Sequence, residues 1–314
     1  MWIIKHRNIF FTIAMLLVGG SLIASIVYGL RPSIEFTGGT LLEIGYSDAR
    51  ADKNLVEEKL NTLELGAYSL RPFGEKAYLL RVREIEQNEL SAILDAFAVG
   101  GVTTPELHRQ NTVGPTIGAE LQSKAVMALL VVLALTIVYV AFAFRHVSEP
   151  VSSWKYGFIA ILTLIHDVTI PIGVFAIIGH FYGTAEIDVL FVTALLTILG
   201  YSVNDTIVIF DRVRENLKHN QEDEIEEPFD EVVGTSLEQT FVRSFNTSVT
   251  VLIVVVAILL FGGSATQYFA LALTAGVIAG TYSSLFLAAP LLVAFEKMQA
   301  HKLAQEETAL KAKK

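Results

Sequence analysis

Gly200-Tyr201-Ser202-Val203-Asn204-Asp205-Thr206-Ile207-Val208-Ile209-Phe210 sets a carboxylate inside an otherwise apolar run. The run covers 187–210, and about 20 mostly apolar residues are what a helix needs to cross roughly 30 Å of hydrocarbon. Five further runs of that kind lie around it, at 9–30, 125–144, 157–182, 243–262 and 269–295. The whole chain agrees with them. Its 314 residues are 53% hydrophobic and 18% charged, with a mean hydropathy of +0.53, a balance foreign to a soluble globular protein. The first run follows Lys5 and Arg7 but is too long for a signal h-region and lacks a small-residue cleavage pattern, so it reads as a retained anchor.

Composition excludes several function classes. With 23 Lys+Arg against 32 Asp+Glu the formal charge is −9, which disfavours a nucleic-acid partner. Zero cysteines exclude disulfides, thiolate metal sites and a cysteine nucleophile, and the histidines show no metal-ligand spacing. No Walker-type Gly-x-x-x-x-Gly-Lys-Ser/Thr occurs, so nucleotide hydrolysis is not expected, and no cofactor is implied.

Orientation follows from Lys and Arg in the short connections. Lys5, Arg7, Arg145, Lys155, Arg212, Arg214, Lys218 and the tail lysines Lys297, Lys302, Lys311, Lys313 and Lys314 fall on one side, while the hairpins near 183–186 and 263–268 carry none. Both termini are therefore expected in the cytoplasm and 31–119 outside. The stretch 222–231 is strongly acidic and reads as a solvated loop or a dock for a basic partner. The expected division is 1–30 (cytoplasmic end and first span), 31–119 (external domain), 120–296 (five-span region with an acidic cytoplasmic loop at 211–240) and 297–314 (basic cytoplasmic tail).

Within 31–119 the pattern changes to alternating strands and amphipathic helices. Strands are expected at 40–46, 67–73, 76–83 and 105–113, and helices at 52–63 and 86–97. The order βαββαβ with a hairpin at Phe73-Gly74-Glu75-Lys76 predicts a ferredoxin-like α+β domain between the first and second of six transmembrane helices. Gly38 and Gly39 on one side of the domain, and Gly114-Pro115 on the other, are either tight turns or a moving hinge.

The polar residues within apolar runs carry the functional signal, because an ionisable group at mid-bilayer costs at least about 2.5–3.5 kcal/mol. Asp167 lies ten residues into the third run, about 15 Å deep at 1.5 Å per residue. Asp205 and Arg243 lie at a shared depth of about 27–28 Å by the same rise, and opposite charges at matched depth in neighbouring antiparallel helices can pair. Thr247 and Thr250 continue one helical face from Arg243, while Asn204 and His166 flank the two carboxylates. The set reads as a proton or ion relay, or as static interhelical glue. Gly276 and Gly280 form a small-xxx-small face for helix packing.

Taken in order, these residues resemble the SecF family, the smaller membrane subunit of the SecDF protein-export complex. The resemblance rests on Phe36-Thr37-Gly38-Gly39-Thr40, Val113-Gly114-Pro115, His166-Asp167-Val168, the long motif from Gly200 through Asp205 to Asn216, Arg243 with Thr247-Ser248, and Gly280-Thr281-Tyr282-Ser283-Ser284. It implies an RND-related half-bundle in the prokaryotic cytoplasmic membrane that uses the proton motive force for late-stage polypeptide export. Asp205 would be the proton-responsive carboxylate and Arg243 its partner. The implied partners are a SecD-like subunit, the SecYEG channel, an unfolded translocating polypeptide and membrane lipids. Two departures stand out: Ser33 replaces the first Gly of the family's Gly-x-Asp-Phe, and Tyr268 stands where an acid often precedes Phe269. Six spans are half of an RND-like transporter, and half of a proton-driven exporter of lipids or small molecules is the alternative.

Overall fold

The computed structural model describes residues 2–99, 104–144, 152–182 and 185–312. Arg145, His146, Lys313, Lys314 and residues 183–184 of the hairpin expected on the outside lie outside that range. Among the described residues, six helices are long and apolar enough to cross a membrane. In chain order the elements used below are α1 (Arg7–Tyr28), β1 (Gly39–Gly45), α2 (Lys53–Leu60), β2 (Ser69–Phe73), β3 (Ala77–Val82), α3 (Gln87–Phe97), β4 (Glu106–Val113), α4 (Pro115–Ala143), α5 (Ser153–Tyr182), α6 (Val189–Glu222), α7 (Phe229–Phe261), α8 (Ser264–Ser283) and α9 (Ala289–Ala312). A π-helical turn, Ser284–Ala288, joins α8 to α9.

The four strands form one antiparallel sheet in the order β2-β3-β1-β4, the ferredoxin-like arrangement. Alternation puts Leu42 and Ile44 of β1 and Tyr78, Leu80 and Val82 of β3 on the covered face. The two helices cover it with Val56 and Leu60 at i, i+4 and with Leu90, Ile93 and Phe97 at i, i+3, i+7. Local chemistry sets the helix starts. Asp52 accepts from the Asn54 N–H at 2.8 Å, and Glu89 reaches back to the Glu86 N–H at 2.9 Å. Tyr46 is buried in this core and its hydroxyl donates to the Phe97 carbonyl at 3.0 Å. Burial pushes its pKa up to about 12, with Tyr78 adding to the rise and Arg50 opposing it.

The chain forms two compact units, and the second is larger than the expected 31–119 domain: it runs from Leu30 to Met127 and takes in Ile178–Val189. The reason is a staple between the segment that follows α1 and the connection from α5 to α6. Ser33 N–H donates to the Ile187 carbonyl at 2.9 Å and Ile187 N–H to that of Arg31 at 2.8 Å, making a parallel bridge. Glu35 accepts from the Val189 N–H at 2.8 Å, a carboxylate on the first turn of α6. Arg81 stands 3.8 Å from Glu186 and also donates to the Pro32 carbonyl at 2.8 Å. Burial raises the Glu186 pKa, against the opposing pull of Arg81 and Arg71.

The other unit is the helix bundle. Its core includes Phe144 stacked on Tyr156 at 5.2 Å, with Phe210 edge-on to Tyr156 at 5.2 Å, and Val213, Val233, Leu237 and Leu292 around them. The expected acidic loop at 211–240 needs correction. Helix α6 continues to Glu222 and α7 starts at Phe229, leaving only 223–228 outside helix. Val213, Val232, Val233 and Leu237 are buried at helical spacing, so the helices persist beyond the purely apolar run. Asp230 and Glu231 then sit in the first turn of α7, where carboxylates are favoured, and Asp230 pairs with Lys297 at 2.6 Å.

Candidate functional site

On α6 the buried positions 191, 194, 195, 198, 199, 202, 205, 206, 209, 210 and 213 trace one inward stripe. Asp205, 4% exposed, and Ser202, fully buried, belong to that stripe; Asn204 is exposed on another face. On α5, His166 and Asp167 are both buried, at 3% and 0% exposure, and the His166 Nδ1 lies 2.9 Å from Asp167 Oδ1. On α8, a Cβ at Gly276 would overlap the Ile198 side chain, and one at Gly280 would lie 3.1 Å from the Ser202 Cβ and 3.7 Å from Asp167 Oδ2. The two glycines therefore let α8 approach α6 closely enough for its hydroxyls to reach the carboxylates.

Those hydroxyls make the site. Asp167 Oδ2 accepts from Ser202 Oγ and, at 2.8 Å, from Ser283 Oγ. Asp205 Oδ2 accepts from Ser284 Oγ at 3.5 Å. Consecutive residues, the last of α8 and the first of the π turn, thus serve carboxylates on two different helices. Such turns frequently occur at functional sites. His166 Nε2, Thr206 Oγ1 and Ser244 Oγ are buried and have no hydrogen-bond partner among the described residues. Tyr201 closes the seam by donating to Ser248 on α7 at 2.7 Å. Among the described residues, no three His, Asp or Glu side chains converge as a metal site.

The structure does not bring Arg243 into an ion pair with Asp205. Arg243 is exposed, as are Thr247 and Thr250, whose hydroxyls bond back to the carbonyls of Arg243 and Asn246 at 2.9 and 2.8 Å. The face of α7 that points inward is Ser236, Thr240, Ser244 and Ser248, an i, i+4 ladder one position round the helix from Arg243 and Thr247. Sequence reasoning missed these residues, together with Ser202, Ser283 and Ser284. The fourfold spacing of small hydroxyl residues was the available signal.

At the junction residues the backbone is tightly constrained. Gly38 (φ 72°, ψ 170°) ends a one-turn helix at Ile34–Thr37, and a Cβ there would sit 2.7 Å from the Pro115 Cα. A Cβ at Gly39 (φ 119°) would sit 2.6 Å from the Val82 carbonyl oxygen. Gly114 has room around it, with nothing nearer to its Cβ position than Glu84 at 4.0 Å.

Comparison with known proteins places this arrangement. The family described as protein export membrane protein SecD/SecF, C-terminal, matches residues 97–298, and the SecD/SecF GG motif matches 23–49, which includes Gly38 and Gly39. The protein translocase subunit SecF of Thermobaculum terrenum is 37% identical over 308 residues, covering 94% of this chain and 93% of that protein. SecF of Anaerolinea thermophila is 35% identical, covering 94% of each. The crystal structure of SecDF, a translocon-associated membrane protein from Thermus thermophilus, matches with a TM-score of 0.76 and 33% identity over 94% of this chain but 38% of that one. This chain thus spans about two fifths of the length of SecDF and nearly the whole length of free-standing SecF. An end-to-end match to free-standing subunits, with the glycine pair and the carboxylate-bearing helices in place, means that the chain belongs to the SecF family of protein translocase subunits.

Proposed function

We propose that this chain is the SecF half of a two-subunit device in the cytoplasmic membrane that spends the proton motive force to complete polypeptide export. The observation that supports the reading best is the pair of buried carboxylates, Asp167 and Asp205, held by serine hydroxyls in an apolar bundle with no cation among the described residues paired to Asp205. An ionised carboxylate in such surroundings is costly, so its charge state is sensitive to what reaches it. An ionised carboxylate only accepts hydrogen bonds; a protonated one also donates. Protonation of Asp205 therefore reverses the sense of its bond to Ser284 and changes which packing of α6 against α8 is favoured.

Arg243 enters as the alternative partner. It stands one residue from inward-facing Ser244, so a rotation of α7 within the roughly 100° separating them carries the guanidinium toward Asp205. In this cycle the two states of α7 present either Ser244 or Arg243 to the carboxylate. One charge moved through 100 mV is worth about 2.3 kcal/mol, nearly fifty-fold in a two-state equilibrium. The output is carried by the 31–119 domain, placed outside the membrane with both termini inside, and needs no nucleotide hydrolysis by this chain. SecD supplies the second half of the bundle, as the greater length of the SecDF relative suggests, and SecYEG supplies the channel.

The test is ATP-depleted completion of a trapped export intermediate in vesicles carrying this chain, SecD and SecYEG, with and without an imposed proton gradient. The gradient is expected to drive completion with the wild type and not with Asp205→Asn or Arg243→Ala. Equal completion with and without the gradient in the wild type sinks the reading.

A further inference from the structure

Each of the two serines at the junction of α8 and the π turn, Ser283 and Ser284, has one hydroxyl proton and two acceptors within reach. Ser283 Oγ lies 2.8 Å from Asp167 Oδ2 and 3.1 Å from its own helix carbonyl at Gly280. Ser284 Oγ lies 3.5 Å from Asp205 Oδ2 and 3.2 Å from the Thr281 carbonyl. The same two carbonyls, Gly280 and Thr281, already receive the backbone N–H of Ser284, at the point where α8 widens into the π turn. The hydroxyls therefore compete with the backbone for two shared acceptors at the weakest-defined position of the helix ladder.

From this geometry we infer that Ser283 and Ser284 are positioning residues that couple the protonation of Asp167 to that of Asp205 through the α-to-π junction. The inference rests on Asp205 being the proton acceptor proposed above. When Asp205 gains a proton, its new O–H donates to Ser284 Oγ, and the serine O–H turns to the Thr281 carbonyl; no proton leaves the serine. That turn adds a second demand on a carbonyl shared with the Ser284 N–H and shifts the junction. Ser283 is the adjacent residue, so its balance between Asp167 and Gly280 shifts with it. The converse path runs from Asp167 to Asp205 by the same atoms. The other titratable or charged groups beside the pair are His166 on Asp167, Tyr282 stacked on His166 at 5.8 Å, Tyr201 beside Ser248, and exposed Arg243 next to Ser244 on α7. None of them bonds to both carboxylates, whereas the two serines are joined by a single peptide bond.

The experiment is infrared titration of the carboxyl C=O bands in the full chain in lipid nanodiscs, with the Asp167 band identified by its loss in Asp167→Asn. In a serine-containing chain, Asp205→Asn is expected to move the Asp167 midpoint by about one pH unit, the scale of a coupled pair. In Ser284→Ala the same Asp205→Asn change is expected to move it by less than a third of that, and Ser283→Ala is expected to give the same loss of coupling. A midpoint shift of equal size with alanine at 284 and at 283 overturns the proposal, as does a serine-containing chain in which Asp205→Asn moves nothing. The titration needs no export activity. Failure of gradient-driven export with intact serine-dependent coupling therefore condemns the export mechanism, and absence of coupling in the serine-containing chain while gradient-driven export persists condemns the bridge.

Discussion

Replacing Gly38 by alanine tests whether the glycine pair is a packed joint or a free turn. At φ 72° and ψ 170° the residue occupies backbone territory that is essentially glycine-only, worth about 1–3 kcal/mol of strain for any other residue. The new methyl would also lie 2.7 Å from the Pro115 Cα and 3.0 Å from its nitrogen, both backbone atoms that cannot rotate aside. Overpacking of that kind adds about 1–3 kcal/mol, for a total near 4 kcal/mol. Gly74 is the internal control, since its φ of 55° carries strain but nothing lies within 4 Å of its Cβ position. Gly74→Ala should cost only about 1–2 kcal/mol. Hydrogen exchange of the β1 and β3 amides in the full chain reads both. At 1.4 kcal/mol per decade, protection should fall by nearly three decades for Gly38→Ala and by about one for Gly74→Ala. Equal losses would refute the close packing against Pro115 as the constraint.

Three further outcomes are expected. The raised Tyr46 pKa means that the folded domain favours the neutral phenol, so its contribution is complete below pH 10.0 and disappears as pH rises toward about 12. At two pKa units this is about 3 kcal/mol, and Tyr46→Phe should flatten the alkaline limb of a stability profile followed by tyrosinate absorbance. Gly276→Ala should lower the thermal stability of the bundle by about 1–3 kcal/mol because its methyl enters the space of Ile198, and the same change should cost much less in an Ile198→Ala background; an equal cost in both backgrounds would exclude the steric cause. Arg243→Ala should change stability by less than about 1 kcal/mol, because the side chain is exposed and unpaired with Asp205, even where it abolishes gradient-driven export; a large loss of melting temperature would contradict the exposed placement.

The six spans were legible because length and hydropathy at membrane depth leave few alternatives. Their ends were not, since helical hydrogen bonding continues wherever an amphipathic stripe can be buried: α7 starts 14 residues before Arg243 because Val232, Val233 and Leu237 pack. The ferredoxin-like strands were legible to within two residues through alternation and through Asp52 and Glu86 at the helix starts. In the site, the two carboxylates announced themselves by cost. Their partners did not, because matching Asp205 with Arg243 by depth uses one coordinate, and contact also requires the azimuth around each helix. That second coordinate was written in the ladder Ser236, Thr240, Ser244 and Ser248. The staple from Arg31–Glu35 to 187–189 leaves no local signature at all, since its members are at least 154 positions apart in every bond.

That separation bears on the order in which the chain can assemble. The sheet and its two helices bury a core contained between Leu42 and Leu107, so they can fold as soon as that stretch has emerged. The segment Arg31–Glu35 must wait for its partners Ile187 and Val189, which follow only after α4 and α5 have been synthesised and inserted. At roughly 5–20 residues per second, that delay lasts on the order of ten seconds or more. During it, the Glu35 carboxylate and the backbone groups of Arg31 and Ser33 are held open to solvent. The docking of this short segment is therefore a late checkpoint: it closes only on a chain in which the connection between the third and fourth spans has come back to the segment that follows the first.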